Sequence, residues 1–72
     1  MRYIHIHTDY IQLAQALKLS VLAQTGGEAK VIIQDGLVTV NGEIDTRRGK
    51  KLRDGDKFAF DGEEVGVKSS ES

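Results

Sequence analysis

Thr25-Gly26-Gly27-Glu28-Ala29-Lys30-Val31-Ile32-Ile33-Gln34-Asp35-Gly36 carries both ends of a helix. Thr25 and Glu28 have the spacing of a capping box: the Thr25 oxygen accepts from the amide of Glu28, and the Glu28 carboxylate returns to the amide of Thr25. A helix therefore starts near Gly26. Gly36 is placed to stop it in the left-handed conformation that glycine adopts at least cost. Between these points Ala29, Ile32 and Ile33 form the buried side, and Lys30 and Gln34, four apart, form one outward polar strip.

Upstream, Ile4 and Ile6 alternate with Tyr3, His5 and His7, the period-two pattern of a half-buried strand. Thr8 and Asp9 offer an N-cap for an amphipathic helix over residues 10–19. Ile11, Leu13, Ala14 and Leu17 make its apolar side, with Gln12, Gln15 and Lys18 opposite. Downstream, Leu37-Val38-Thr39-Val40 runs into Asn41-Gly42, a strong hairpin signal, with Glu43-Ile44-Asp45-Thr46 as the return strand. Asp54-Gly55 marks a turn, and Lys57 to Phe60 reads as a strand with both rings inward. Asp61-Gly62 leads to a last strand near Val65 to Lys68. The expectation is an α+β fold with an N-terminal strand, two packed short helices and a small antiparallel sheet. It forms one domain over residues 1–68, with a disordered tail at 69–72.

A chain of 72 residues hides only about 60% of its unfolded surface, which leaves little room for an enclosed pocket. With no cysteine, disulfides and thiolate metal sites are excluded. The alternating N-terminus has neither the apolar run of a signal peptide nor the length of a membrane span. A soluble protein of a reducing cytoplasm is expected, with no membrane partner.

The net charge of −1 conceals an asymmetry. Residues 47–53 hold Arg47, Arg48, Lys50, Lys51 and Arg53 and no acid, which leaves five basic against eleven acidic side chains in the other 65 residues. One positive patch on an acidic body turns a single face towards a polyanion. Gly49 lets the surrounding side chains fan outwards, and the guanidinium forks suit phosphate oxygens.

The stretch from Leu13 to Asp56 resembles the S4 RNA-binding domain, also called the αL motif. The likeness is carried by Leu17-Lys18-Leu19, Gly27-Glu28-Ala29-Lys30, Val38-Thr39-Val40-Asn41-Gly42, Arg47-Arg48-Gly49-Lys50-Lys51 and Gly55-Asp56. Single-domain bacterial members are the most similar. The resemblance implies two packed helices and a hairpin presenting a positive face to structured RNA, commonly ribosomal or transfer RNA, within a ribosomal subunit or other ribonucleoprotein. By position, Lys18, Lys30 and Gln34 then join Arg47, Arg48, Lys50, Lys51 and Arg53 as RNA-binding residues. Many members have Ser-Arg where this chain has Gly26-Gly27 before Glu28, which removes one positive contact.

Other chemistries find less support. His5 and His7 share a strand face but lack a carboxylate or cysteine at metal-site spacing, so they read as a surface feature. Gly26-Gly27 lacks Walker spacing, and Glu28 sits where a phosphate would. No serine lies in a nucleophile elbow, so neither catalysis nor a cofactor is expected. Phe58 and Phe60 read as core, which favours recognition of folded or duplex RNA over stacking on single-stranded bases. Two alternatives remain: a protein-interaction module, and a β-grasp sulfur carrier, whose C-terminal Gly-Gly is here replaced by Ser69-Ser70-Glu71-Ser72.

Overall fold

The computed structural model describes residues 1–70. Its elements, in chain order, are β1 (Arg2–Ile6), β2 (Ile11–Gln12), α1 (Leu13–Leu19), α2 (Gly26–Gln34), β3 (Val38–Val40), β4 (Glu43–Ile44), β5 (Lys51–Leu52), β6 (Lys57–Phe60) and β7 (Glu63–Ser69). Five strands form one sheet in the order β1-β7-β6-β3-β4, and β2 pairs with β5 in a separate two-stranded ribbon. Both helices pack on one face of the large sheet. Their Leu13, Ala16, Leu17, Ala29 and Ile33 join Ile4, Ile6, Val38, Val40, Phe58, Val65 and Val67 in one core.

The stop signal of α2 acts as expected, and its capping box forms by half, with no return bond from the Glu28 carboxylate to the Thr25 amide among the described residues. The amide of Glu28 donates to the Thr25 hydroxyl oxygen at 3.0 Å. Past the cap residue Asp35, Gly36 takes φ 77°. Its amide donates to the Ile33 carbonyl and that of Leu37 to the Ile32 carbonyl, the paired bonds of a Schellman motif. Asn41-Gly42 and Asp61-Gly62 turn their hairpins with positive φ at both residues, the twist that suits two-residue connections.

Three expectations are corrected. The sheet is mixed rather than antiparallel, because β1 runs parallel to β7 with Ile4 opposite Val67. A parallel neighbour carries the N-terminal strand to the far edge of the sheet while keeping Ile4 and Ile6 over the helices. The first helix starts at Leu13, three residues after the expected Tyr10, because Ile11 and Gln12 pair with Leu52 and Lys51. Thr8 instead donates to the Tyr10 carbonyl. The tail also begins later than expected, for Ser69 closes β7 and the amide of Ser70 donates to the Ile6 carbonyl. Residues 71–72 lie outside the described residues.

Helix α1 ends in a second Schellman motif, in which the amides of Val21 and Leu22 donate to the carbonyls of Lys18 and Leu17. Val21 occupies the left-handed position at φ 63° with 71% of its surface exposed. A β-branched side chain is costly there, and this one recovers little by burial. Val21→Gly should therefore raise stability by roughly 1 kcal/mol, read as a higher urea midpoint at unchanged slope. A lower midpoint would show that the valine packs usefully.

Candidate functional site

The basic run is a turn followed by a short strand, and its backbone is bound to the start of α1. A helix leaves its first amides without partners. The cap position of α1 is Gln12, whose side chain makes no capping hydrogen bond. Instead the amide of Leu13 donates to the Lys50 carbonyl at 2.9 Å, and that of Ala14 to the Arg48 carbonyl at 3.1 Å. Leu52, in β5, is fully buried and anchors the far end of the run. The main chain of residues 48–52 is thus held against helix and core, with Arg48 and Lys51 exposed and Lys50 half-buried.

Four of the five basic side chains fall into two groups. Arg47 and Lys50 line an open groove of about 530 Å³ along the β3–β4 hairpin, whose walls include Ile44, Asp45 and Thr46. Arg47 already has a partner there: its Nε and Nη2 donate to the two carboxylate oxygens of Asp45 at 3.0 and 2.8 Å, and its amide donates to Oδ1 at 2.9 Å. The Asp45 side chain is 10% exposed and that of Arg47 70%. The hydrogen bonds from the Arg47 side chain outweigh burial and hold the Asp45 carboxyl below its ordinary range, with Lys50 adding attraction.

The second group surrounds Tyr10. The Lys51 ammonium lies 4.8 Å and the Arg53 guanidinium 5.6 Å from the ring centroid, and Arg53 also pairs with Asp9. Among the described residues, Arg48 and Lys50 have no carboxylate partner. Lys30 and Gln34 are exposed on α2, as their spacing predicts. The end of α2 approaches the groove: a Cβ on Gly36 would lie 3.7 Å from Ile44 Cγ2. Lys18 is exposed about 8 Å further along the α1 axis than Leu13, beside a shallow groove lined by Ile11, Gln15 and Leu19. No described contact ties Lys18, Lys30 or Gln34 to the turn. Sequence reasoning missed Asp45, Asp9 and Tyr10. Asp45 had a readable signal, since an aspartate two residues before the amide it accepts from makes an Asx turn.

A family model described as the S4 domain matches residues 4–68. The chain belongs to the S4 domain family. This S4 domain is 46% identical over 59 residues to a Bacillus subtilis (strain 168) protein named "Probable ribosome maturation protein RlbA", covering 82% of this chain and 83% of that one. It also superposes on the solution structure of YbcJ from E. coli, described as having an αL motif involved in RNA-binding, with a TM-score of 0.73 and 30% identity. That match covers 94% of this S4 domain and 87% of YbcJ.

The lowered Asp45 pKa sets a sign for acid unfolding. Between the ordinary carboxyl value near 3.9 and the lower folded one, the unfolded chain binds more protons. The contribution of the pair is therefore full above that window and lost as pH falls through it. In urea titrations from pH 6 downwards, Asp45→Asn should lose less stability below about pH 4 than the parent does. Equal losses would show that the pair does not hold the folded chain.

Proposed function

We propose that this S4 domain is a non-catalytic binder of structured RNA, ribosomal or transfer RNA, acting in the cytoplasm as an accessory to a ribosomal subunit or other ribonucleoprotein. The observation that carries the reading is the backbone attachment of the basic turn. With the Arg48 and Lys50 carbonyls held by the amides of α1, the cations beside them need no ordering of the main chain when they meet a polyanion. The names of the two relatives, a ribosome maturation protein and a protein with an RNA-binding motif, support the same partner.

In this reading the roles divide by existing partners. Arg48 and Lys50, which make no salt bridge among the described residues, make the primary phosphate contacts. Arg47 keeps a fixed orientation through Asp45 and presents its remaining N–H groups along the groove. Lys51 and Arg53 extend the positive surface beyond Tyr10, and Lys30 and Gln34 on α2 meet the opposite side of an RNA groove. Lys18, at the far end of α1, adds long-range attraction.

Binding to total structured RNA and to duplex RNA across a salt series tests this. The double variant Arg48→Ala/Lys50→Ala leaves the Asp45 pair and the backbone bonds in place, and it should bind more weakly with a salt slope reduced by about 2. Equal weak binding by parent and variant would overturn the reading. Salt-sensitive binding to a protein with none to RNA would instead support an interaction module.

A further inference from the structure

The sheet face turned away from the helices carries an exposed aromatic ring and two lysines, apart from the basic turn. Register fixes what it displays. Because Ile4, Val67, Val65, Phe58, Val38 and Val40 face the core, the alternate positions Tyr3, His5, Lys68, Lys57, Ala59 and Thr39 face outward. The middle of the face is kept low by Gly66, Ala59 and Thr39, with Tyr3, Lys57 and Lys68 rising at one side.

Tyr3 is held as a platform. It is 50% exposed, and its ring lies so close over β7 that a Cβ on Gly66 would come within 2.7 Å of Cε1 and 2.8 Å of Cδ1. Glycine in a strand interior is otherwise unfavourable, and here it admits an aromatic ring onto the backbone. The Lys68 ammonium sits 4.5 Å from the ring centroid. A shallow pocket of about 220 Å³ lies between Tyr3 and Lys57, with Met1, Asp56 and Gly66 on its wall. Lys57 and Lys68 supply the positive charge of the face. Glu64 shares it by register, and Asp56, beside Lys57 in the pocket wall, has its carboxylate bonded by the Arg53 amide and Asn41 Nδ2.

We infer that this open sheet face binds single-stranded RNA, with Tyr3 stacking one base and Lys57 and Lys68 holding the flanking phosphates. An exposed ring on a flat strand surface offers a π-face to any base, and two lysines supply modest attraction. Five strands span roughly 19 Å, room for a few nucleotides across the face from Tyr3. Two phosphate contacts on a single strand give a salt slope of only about −1.4, shallower than that of the basic turn.

The test is an amide-resolved NMR titration of the intact protein with a short oligoadenylate and, separately, with duplex RNA. Oligoadenylate should shift Tyr3, Gly66 and Lys68, while duplex RNA shifts residues 47–53. Tyr3→Leu, which keeps an apolar cover over Gly66, should weaken oligoadenylate binding about tenfold. Tyr3→Phe should retain it, Lys68→Gln should flatten its salt dependence, and none should alter duplex binding. Oligoadenylate shifts confined to residues 47–53, no shifts at all, or equal affinity of Tyr3→Leu and the parent would overturn the inference. Duplex binding is read in the same samples, so failure at the sheet face is separable from failure at the turn.

Discussion

Two backbone hydrogen bonds, from Leu13 and Ala14 to the carbonyls of Lys50 and Arg48, join the basic turn to the start of α1. A seven-residue helix with no side-chain cap at its start is a weak element by itself. Here its start is completed by a segment more than thirty residues later in the chain. The exchange is mutual: the helix gains partners for its free amides, and a run of five cations that repel one another gains a fixed main chain. The other end of α1 is held in the same manner. Arg2 donates to the Ser20 carbonyl at 2.6 Å and pairs with Glu63, so a positive charge sits where the helix dipole is negative.

Around this helix the charges are arranged to limit the cost of crowding. Arg47 and Arg53 each have a carboxylate, from Asp45 and Asp9, and Lys51 lies against Tyr10. The Arg53–Asp9 pair, exposed on both sides, adds little to stability, since solvent screens it. The Arg47–Asp45 pair also fixes orientation, for a guanidinium bonded through two nitrogens cannot swing freely. Arg48 and Lys50 make no ion pair among the described residues, and Lys50 is half-buried.

What could be read from the sequence was local and carried by residues with one strong preference. Thr25 with Glu28, Gly36, and the Asn-Gly turn each specify a backbone geometry within a few residues; the two turns are in place, and of the capping box the Glu28 amide to Thr25 bond is. The S4 likeness of the ordered motifs supplied the family. What could not be read depends on distant partners. Ile11 and Gln12 fit the apolar period of a helix, yet they pair with Leu52 and Lys51, and no pattern within residues 10–19 reports the presence of that strand. Strand direction is equally silent, because the alternation of Ile4 and Ile6 is the same for a parallel or an antiparallel neighbour. In the site, the identities of the cations were visible but not their partners. Tyr3 looked like an ordinary outward strand residue until Gly66 was found beneath it.

The parallel ladder between β1 and β7 also governs when the chain can become a folded object. Synthesis delivers Ile4 and Ile6 before Val65 to Ser69, the neighbours that cover their edge. Helices and hairpins can form locally in the meantime, whereas closing a loop of about sixty residues must wait until β7 has been made. Strand β1 is therefore made well before its partner in the sheet. During that interval the nascent protein carries an open strand edge that β7 is placed to cover.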